Sequence, residues 1–260
     1  MKHDKKGENI MSRELIVDLH SILSDYLGRL IDDYSFTALQ LNACDIALNR
    51  YLEASDDIRL NTIGKVPKEF QLETDVAMHF DKPGLIQQYK YNLPRKIASD
   101  YLVRTISIID AMFEDTFELL LMIYRPDLDE KKRQNFVRSS WSNDNLRNFM
   151  ISDFGLKKPL SKTLPVEMTF DRYEEYREVR HAIMHNKGKL SKKHKDKLKE
   201  LKERLPQSLK AKKVSMLDTD MISGNDVTLN YASILNLRKW AYTLLLYLRD
   251  CYTETLAGRN

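Results

Sequence analysis

Apolar residues return at intervals of three and four along most of this chain, a rhythm that predicts α-helices. The stripe Leu15, Leu19, Ile22, Leu23, Leu27, Leu30 and Ile31 predicts an amphipathic helix of about 20 residues. Ser35 suits the cap of a second helix running through Leu39, Ile46 and Leu48 to Tyr51, so the pair is expected to form an antiparallel hairpin. From Ser55 to Pro94 the rhythm is lost among Gly64, Pro67, Pro83, Gly84 and Pro94, which predicts a connector with at most a short helix or two. Ile97 to Tyr124 carries the strongest helical pattern, with Tyr101, Leu102, Ile106, Ile109, Phe113, Phe117 and Leu120 on one side and Pro126 as the stop.

Shorter helices are expected over Asp129–Arg138 and Asn143–Phe149. A helix beginning near Thr169 or Asp171 should end at Asn186, with Gly188 suited to the left-handed closing residue. A lysine-rich helix from Ser191 to Leu205 follows, bounded by Pro206. Val214–Leu217 and Val227–Leu229 are candidate strands around a Ser223-Gly224-Asn225-Asp226 turn, and Tyr231–Leu256 predicts a closing helix. The expected fold is all-α: an antiparallel helical bundle over 95–260, preceded by the helical hairpin and connector of 1–94, with one short β-hairpin.

Composition agrees with a globular helical chain, since 42% of the 260 residues are hydrophobic and there are only 8 Gly and 7 Pro. Cys44 and Cys251 have no metal-type spacing and are too few for a disulfide framework, so a reducing cytoplasm is expected. The longest apolar runs fall far short of a bilayer span of ~20 residues. The polar start, Met1 to Asn9, lacks the apolar middle of a secretory signal, so neither export nor membrane insertion is expected.

The formal charge of +4 is unevenly spread. Between Asn186 and Lys213 there are 12 Lys or Arg against 3 Asp or Glu, so that one segment carries +9. Such a stripe attracts polyanions, nucleic acid above all. The plainer alternative is an amphipathic helix docked through Leu198 and Leu201, its lysine stems lying along the surface.

Within the helix before this stripe stand Arg177, Arg180, His181 and His185. A guanidinium and an imidazole are the groups needed to hold a phosphate and move a proton beside it. At about 100° per residue Arg177, His181 and His185 line one helix face, whereas Arg180 points about 140° away from His185. One straight helix therefore does not aim both groups at one atom, and a second copy packed around a two-fold axis would let them converge. A solvated polar face is the plainer reading. His181 and His185, with Glu178 or His194, could also hold zinc, but no glutamate of the HExxH kind intervenes and no cysteine is close. Asp100, Asp110, Glu114 and Asp115 on the first long helix of the bundle are either acidic partners for the arginines or surface charges.

The run Arg180-His181-Ala182-Ile183-Met184-His185-Asn186-Lys187-Gly188, late in an all-helical domain and followed by a closing helix, resembles the HEPN superfamily (higher eukaryotes and prokaryotes nucleotide-binding). Its signature is an arginine, a polar residue directly after it, and a histidine four to six residues further on. Arg180, His181 and His185 match those positions, and the resemblance covers about Arg95 to Leu256. The branch with a tyrosine two residues after the histidine has no counterpart, because Lys187 stands there.

What the resemblance implies is a homodimeric, metal-independent endoribonuclease without cofactors, of the kind found in toxin–antitoxin and antiphage-defence systems, with an antitoxin or defence protein as partner. His185 would be general base or acid, and Arg180 would neutralise charge on the phosphoryl oxygens. Arg177 and His181 would position the phosphate or donate a second proton. Asn186, Lys187, Lys189, Lys192 and Lys193 would hold the RNA backbone. The competing expectation is a HEPN-like module that binds RNA or a nucleotide without cutting it, or an interaction subunit of a defence complex.

Overall fold

The computed structural model describes residues 5–61, 67–71, 79–142, 144–162 and 164–258, with side chains from residue 13 onward except at position 61. The fold is all-α, with two short antiparallel strand pairs among the described residues. No described helix is long and apolar enough to cross a membrane.

The amino-terminal hairpin expected from sequence is instead one helix, α1, spanning Lys5–Glu53. Ser35 does not cap a new helix: its hydroxyl donates to the Ile31 carbonyl at 2.9 Å, and Thr37 does the same to Asp33 at 2.9 Å. Serine and threonine can satisfy their hydroxyls inside a helix in this way, and no Gly or Pro lies between Arg29 and Glu53. Arg104 clamps the middle of α1 from outside, its Nε 2.5 Å from Asp33 Oδ1 and its Nη2 2.9 Å from Thr37 Oγ1.

The described part of the 55–94 connector is more ordered than its sequence suggests. Arg59–Asn61 (β1) pairs antiparallel with His79–Asp81 (β2), while Gly64 lies outside the described residues. The Asp81 side chain caps α2 (Lys82–Gln87) by accepting from Gly84 N at 2.9 Å. A π-turn over Gln88–Asn92 then leads without a break into α3, Leu93–Tyr124. Pro94 brings no N–H to the helix, and the widened turn just before it absorbs the mismatch. The boundary expected at residue 94 thus falls inside a continuous helical run.

α3 is the axis of the molecule, burying Tyr101, Leu102, Ile106, Ile109, Met112, Phe113, Phe117 and Leu120. Against it pack α1, α6 (Val166–Asn186) and α9 (Tyr231–Ala257). Leu15, Leu19, Leu23, Tyr26 and Leu30 of α1 belong to the same core as α3 and α9, each buried leucine stabilising the fold by about 1.5–3 kcal/mol. The short helices α4 (Glu130–Arg138) and α5 (Asn145–Asn148) follow the sequence expectation, except that a π-turn over Phe149–Asp153 extends α5.

Helix α6 ends at Asn186 as its sequence predicts, but two residues take the left-handed conformation there, Lys187 (φ 54°) and Gly188 (φ 77°). Next, α7 (Lys192–Glu203) docks through buried Leu198 and Leu201, and α8 (Gln207–Ala211) follows. Val214–Leu217 is not a strand. Glu175 accepts from Ser215 Oγ at 2.7 Å and Met216 N at 3.0 Å, drawing that backbone into a 3-10 turn. The hairpin forms one segment later, Ile222–Ser223 (β3) against Asp226–Val227 (β4), around the expected Gly224-Asn225 turn.

Ser35→Pro should cost ~3 kcal/mol or more in a urea unfolding experiment, because proline removes a helical N–H and clashes with the preceding turn. A midpoint equal to wild type would mean that α1 is broken there after all.

Candidate functional site

Asp110 is partly buried at the edge of the apolar face of α3, one turn from Ile106 and Phe113. A carboxylate there requires partners, and α6 supplies them. Tyr173 donates its hydroxyl to Oδ1, Arg177 Nε donates to the same oxygen at 3.1 Å, and Arg180 Nη1 lies 3.5 Å from Oδ2. Positions 177 and 180 are neighbours on the helix surface, so both guanidiniums reach one acceptor. Arg177 is only 8% exposed. It also donates to Glu174 at 3.3 Å and lies 4.0 Å above the Trp141 ring. Arg177, expected among the phosphate ligands, is instead an internal anchor of the fold. Arg180 keeps a partly exposed side chain, although its Nε is buried without a hydrogen-bond partner.

His181 sits half-buried between these arginines and the end of the helix, its ring 6.1 Å from that of His185. Burial, then Arg177 and Arg180, then His185 and His194, push its pKa down to about 4. At neutral pH it is an uncharged imidazole, able to accept or donate one hydrogen bond but not to act as a proton-donating cation. His185 is exposed on the last turn.

The turn after α6 brings a third imidazole alongside. Gly188 N donates to Ala182 O at 2.9 Å, and Leu190 N and Val227 N tie the exit to the β3–β4 hairpin through Asn225 O and Gly188 O, both at 2.8 Å. Ser191 then caps α7 reciprocally with His194, whose Nδ1 accepts from Ser191 N at 3.3 Å. That leaves the proton of neutral His194 on Nε2, 4.0 Å from Glu178 Oε2. His194 is lowered by burial and by Lys193 and His185, and Glu178 is raised by burial and by Glu174. The downward shift keeps His194 uncharged at neutral pH, so the contact is an imidazole N–H facing the Glu178 side chain rather than an ion pair.

No protein-family model, curated protein or solved structure matches this chain.

Asn186, Lys187, Lys189, Lys192 and Lys193 are exposed around the same end of α6, and Ser191 stands exposed among them. Further along the basic segment, by contrast, Lys202 is bound to Asp218 at 2.6 Å and Lys210 to Glu203 at 2.8 Å. Among the described residues no group of three His, Cys, Asp or Glu converges in a way that could hold a metal ion. His181, His185 and His194, although close, do not converge as such a set. Asp171, expected near the start of the helix, is buried within it and bridges Arg147 at 2.5 Å and Arg204 at 3.0 Å.

Asp110 is the residue on which sequence reading was least decisive. Its signal was its place at the edge of the apolar stripe of α3, where an acidic side chain implies a buried cationic partner. Nothing local to the sequence announces the His194–Glu178 contact.

Replacing Asp110 by Ala should cost about 3–5 kcal/mol in urea unfolding, because two guanidiniums lose their shared carboxylate; a loss within experimental error would show that the pair is not anchored there. Stability should also depend on His181. The unfolded imidazole takes its proton near 6.5, the folded one only near about 4, so acidification through that window favours the unfolded chain. The raised Glu178 works partly in the opposite direction. Between pH 7.5 and pH 5 the wild type should lose more stability than His181→Gln, and parallel losses in the two proteins would contradict the assignment.

Proposed function

We propose that this protein is a metal-independent endoribonuclease of HEPN type, acting as a homodimer in a toxin or antiphage-defence setting. The observation that carries the reading is the crowding of Arg180, His181, His185 and His194 around the carboxyl-terminal end of α6, bordered by exposed lysines. Lys187, Lys189, Lys192 and Lys193 hold the RNA backbone. The ribose 2′-hydroxyl attacks the adjacent phosphorus as its proton passes to a base, and the bond to the 5′-oxygen breaks as that oxygen gains a proton. The products are a 2′,3′-cyclic phosphate and a 5′-hydroxyl. Exposed His185 serves as the base or the acid of this exchange. Arg180 meets the charge growing on the phosphoryl oxygens, with Asp110 setting its position. His181, uncharged at neutral pH, contributes a hydrogen bond. Because Arg180 and His185 diverge by about 140° on one helix, the twin subunit completes the site.

Asp110 already neutralises part of Arg180, which favours one second reading, retention of RNA without cleavage. Incubation with total RNA in chelator, with the ends mapped, separates the two. The nuclease reading expects new cyclic-phosphate ends, reduced at least ~100-fold in Arg180→Ala and in His185→Ala, with the unfolding midpoint unchanged in His185→Ala and cooperative unfolding retained in Arg180→Ala. Mixing the two variants should restore about a quarter of the activity if each site is shared between subunits. Salt-sensitive binding with no new ends would leave the binding module standing and the enzyme refuted.

A further inference from the structure

On the side of α6 away from Asp110, the structure leaves a groove of about 490 Å³ between the start of that helix, the α8 region and α9. Protein interiors seldom leave a void larger than a water molecule, whereas this volume lies in the range of small-molecule sites. Its floor is the buried pair Leu244 and Tyr247, and its walls include Met168, Leu209, Val214 and Trp240. Along α9 it runs from Trp240 to Asp250, a helical distance of ~15 Å. The back wall is firm, because Trp240 packs on Tyr176 with ring centroids 4.1 Å apart and stacks on Tyr173 at 6.2 Å.

The lining groups that carry charge are unbalanced. Lys162 makes no ion pair among the described residues, and Arg172 commits Nη1 to Glu175. The acidic member, Asp250, is already engaged by Arg249 at 3.0 Å. An elongated apolar trough with surplus positive charge at its edge matches an amphiphile with one anionic head. We propose that the groove binds a single-chain amphiphile of this class, its hydrocarbon tail along α9 and its carboxylate or phosphate monoester head at Lys162 and Arg172. Neither the site nor its test depends on the ribonuclease reading.

Calorimetric titration of the 260-residue chain with dodecanoate and dodecyl phosphate below their micellar concentrations, and with dodecanol below its solubility limit, tests this. One-to-one saturable binding is expected for the anions, with the preferred one identifying the head group, and about fivefold weaker binding for the alcohol. Thr243→Phe, on the exposed lip, and Val214→Phe both fill the trough and should abolish binding. Lys162→Gln should bring the anions close to the alcohol. The proposal is overturned if the wild type shows no saturable binding, if neither filling variant changes it, or if the alcohol binds as tightly as the anions. It is equally overturned if the wild type ignores all three amphiphiles and is a dimer that Thr243→Phe dissociates, since the occupant is then a second copy of the chain.

Discussion

A carboxylate partly buried at the edge of a central helix's apolar stripe needs something to answer its charge, and Asp110 is answered three times from α6. Tyr173, Arg177 and Arg180 occupy successive turns of that helix, so their shared acceptor fixes both its rotation and its height against α3. Aromatic packing reinforces the register: Tyr173 meets Phe113 at 5.0 Å and Trp141 at 5.6 Å. Once α6 is locked in this way, Arg177 is turned inward, Arg180 lies at the margin and His185 faces out. The chemistry available at the end of the helix follows from that rotation.

The segment after α6 depends on the same anchor. Two consecutive left-handed residues reverse the chain, the β3–β4 hairpin pins the reversal, and Ser191 starts α7 beside the helix it has just left. This brings His194 and the lysines of α7 to the end of α6, although they are separated from Arg180 by a turn. The basic segment is therefore of two kinds. Its first lysines are exposed, while Lys202 and Lys210 are held by carboxylates and serve the fold.

Helix α1 shows how a tertiary partner can settle a local ambiguity. A serine after an acidic pair reads equally well as a helix cap or as an interior residue bonding backward. Arg104 decides between them, because it binds Asp33 and Thr37 together, on either side of the expected break. The buried face of α1 then joins the core of the bundle, so the amino-terminal segment is part of the same packing unit as α3 and α9.

Helical class, the carboxyl-terminal end of α6, the span of α9, the apolar docking of α7 and the Gly224-Asn225 turn were all legible along the chain, because each rests on periodicity, capping or turn chemistry within a few residues, whereas α6 starts at Val166, ahead of the expected Thr169 or Asp171. The cluster Arg180, His181 and His185 was likewise visible as a spacing. Its electrostatic character was not. That His181 is an uncharged imidazole, that Arg177 is internal, and that His194 lies 4.0 Å from Glu178 all depend on groups from other elements or on burial that no local pattern encodes. The unbroken α1, the π-turn ahead of Pro94 and the 3-10 turn at Met216 belong with these. At α1 and at Met216 a long-range contact outweighed a local preference worth only about 1 kcal/mol, and ahead of Pro94 a widened turn accommodates the missing N–H.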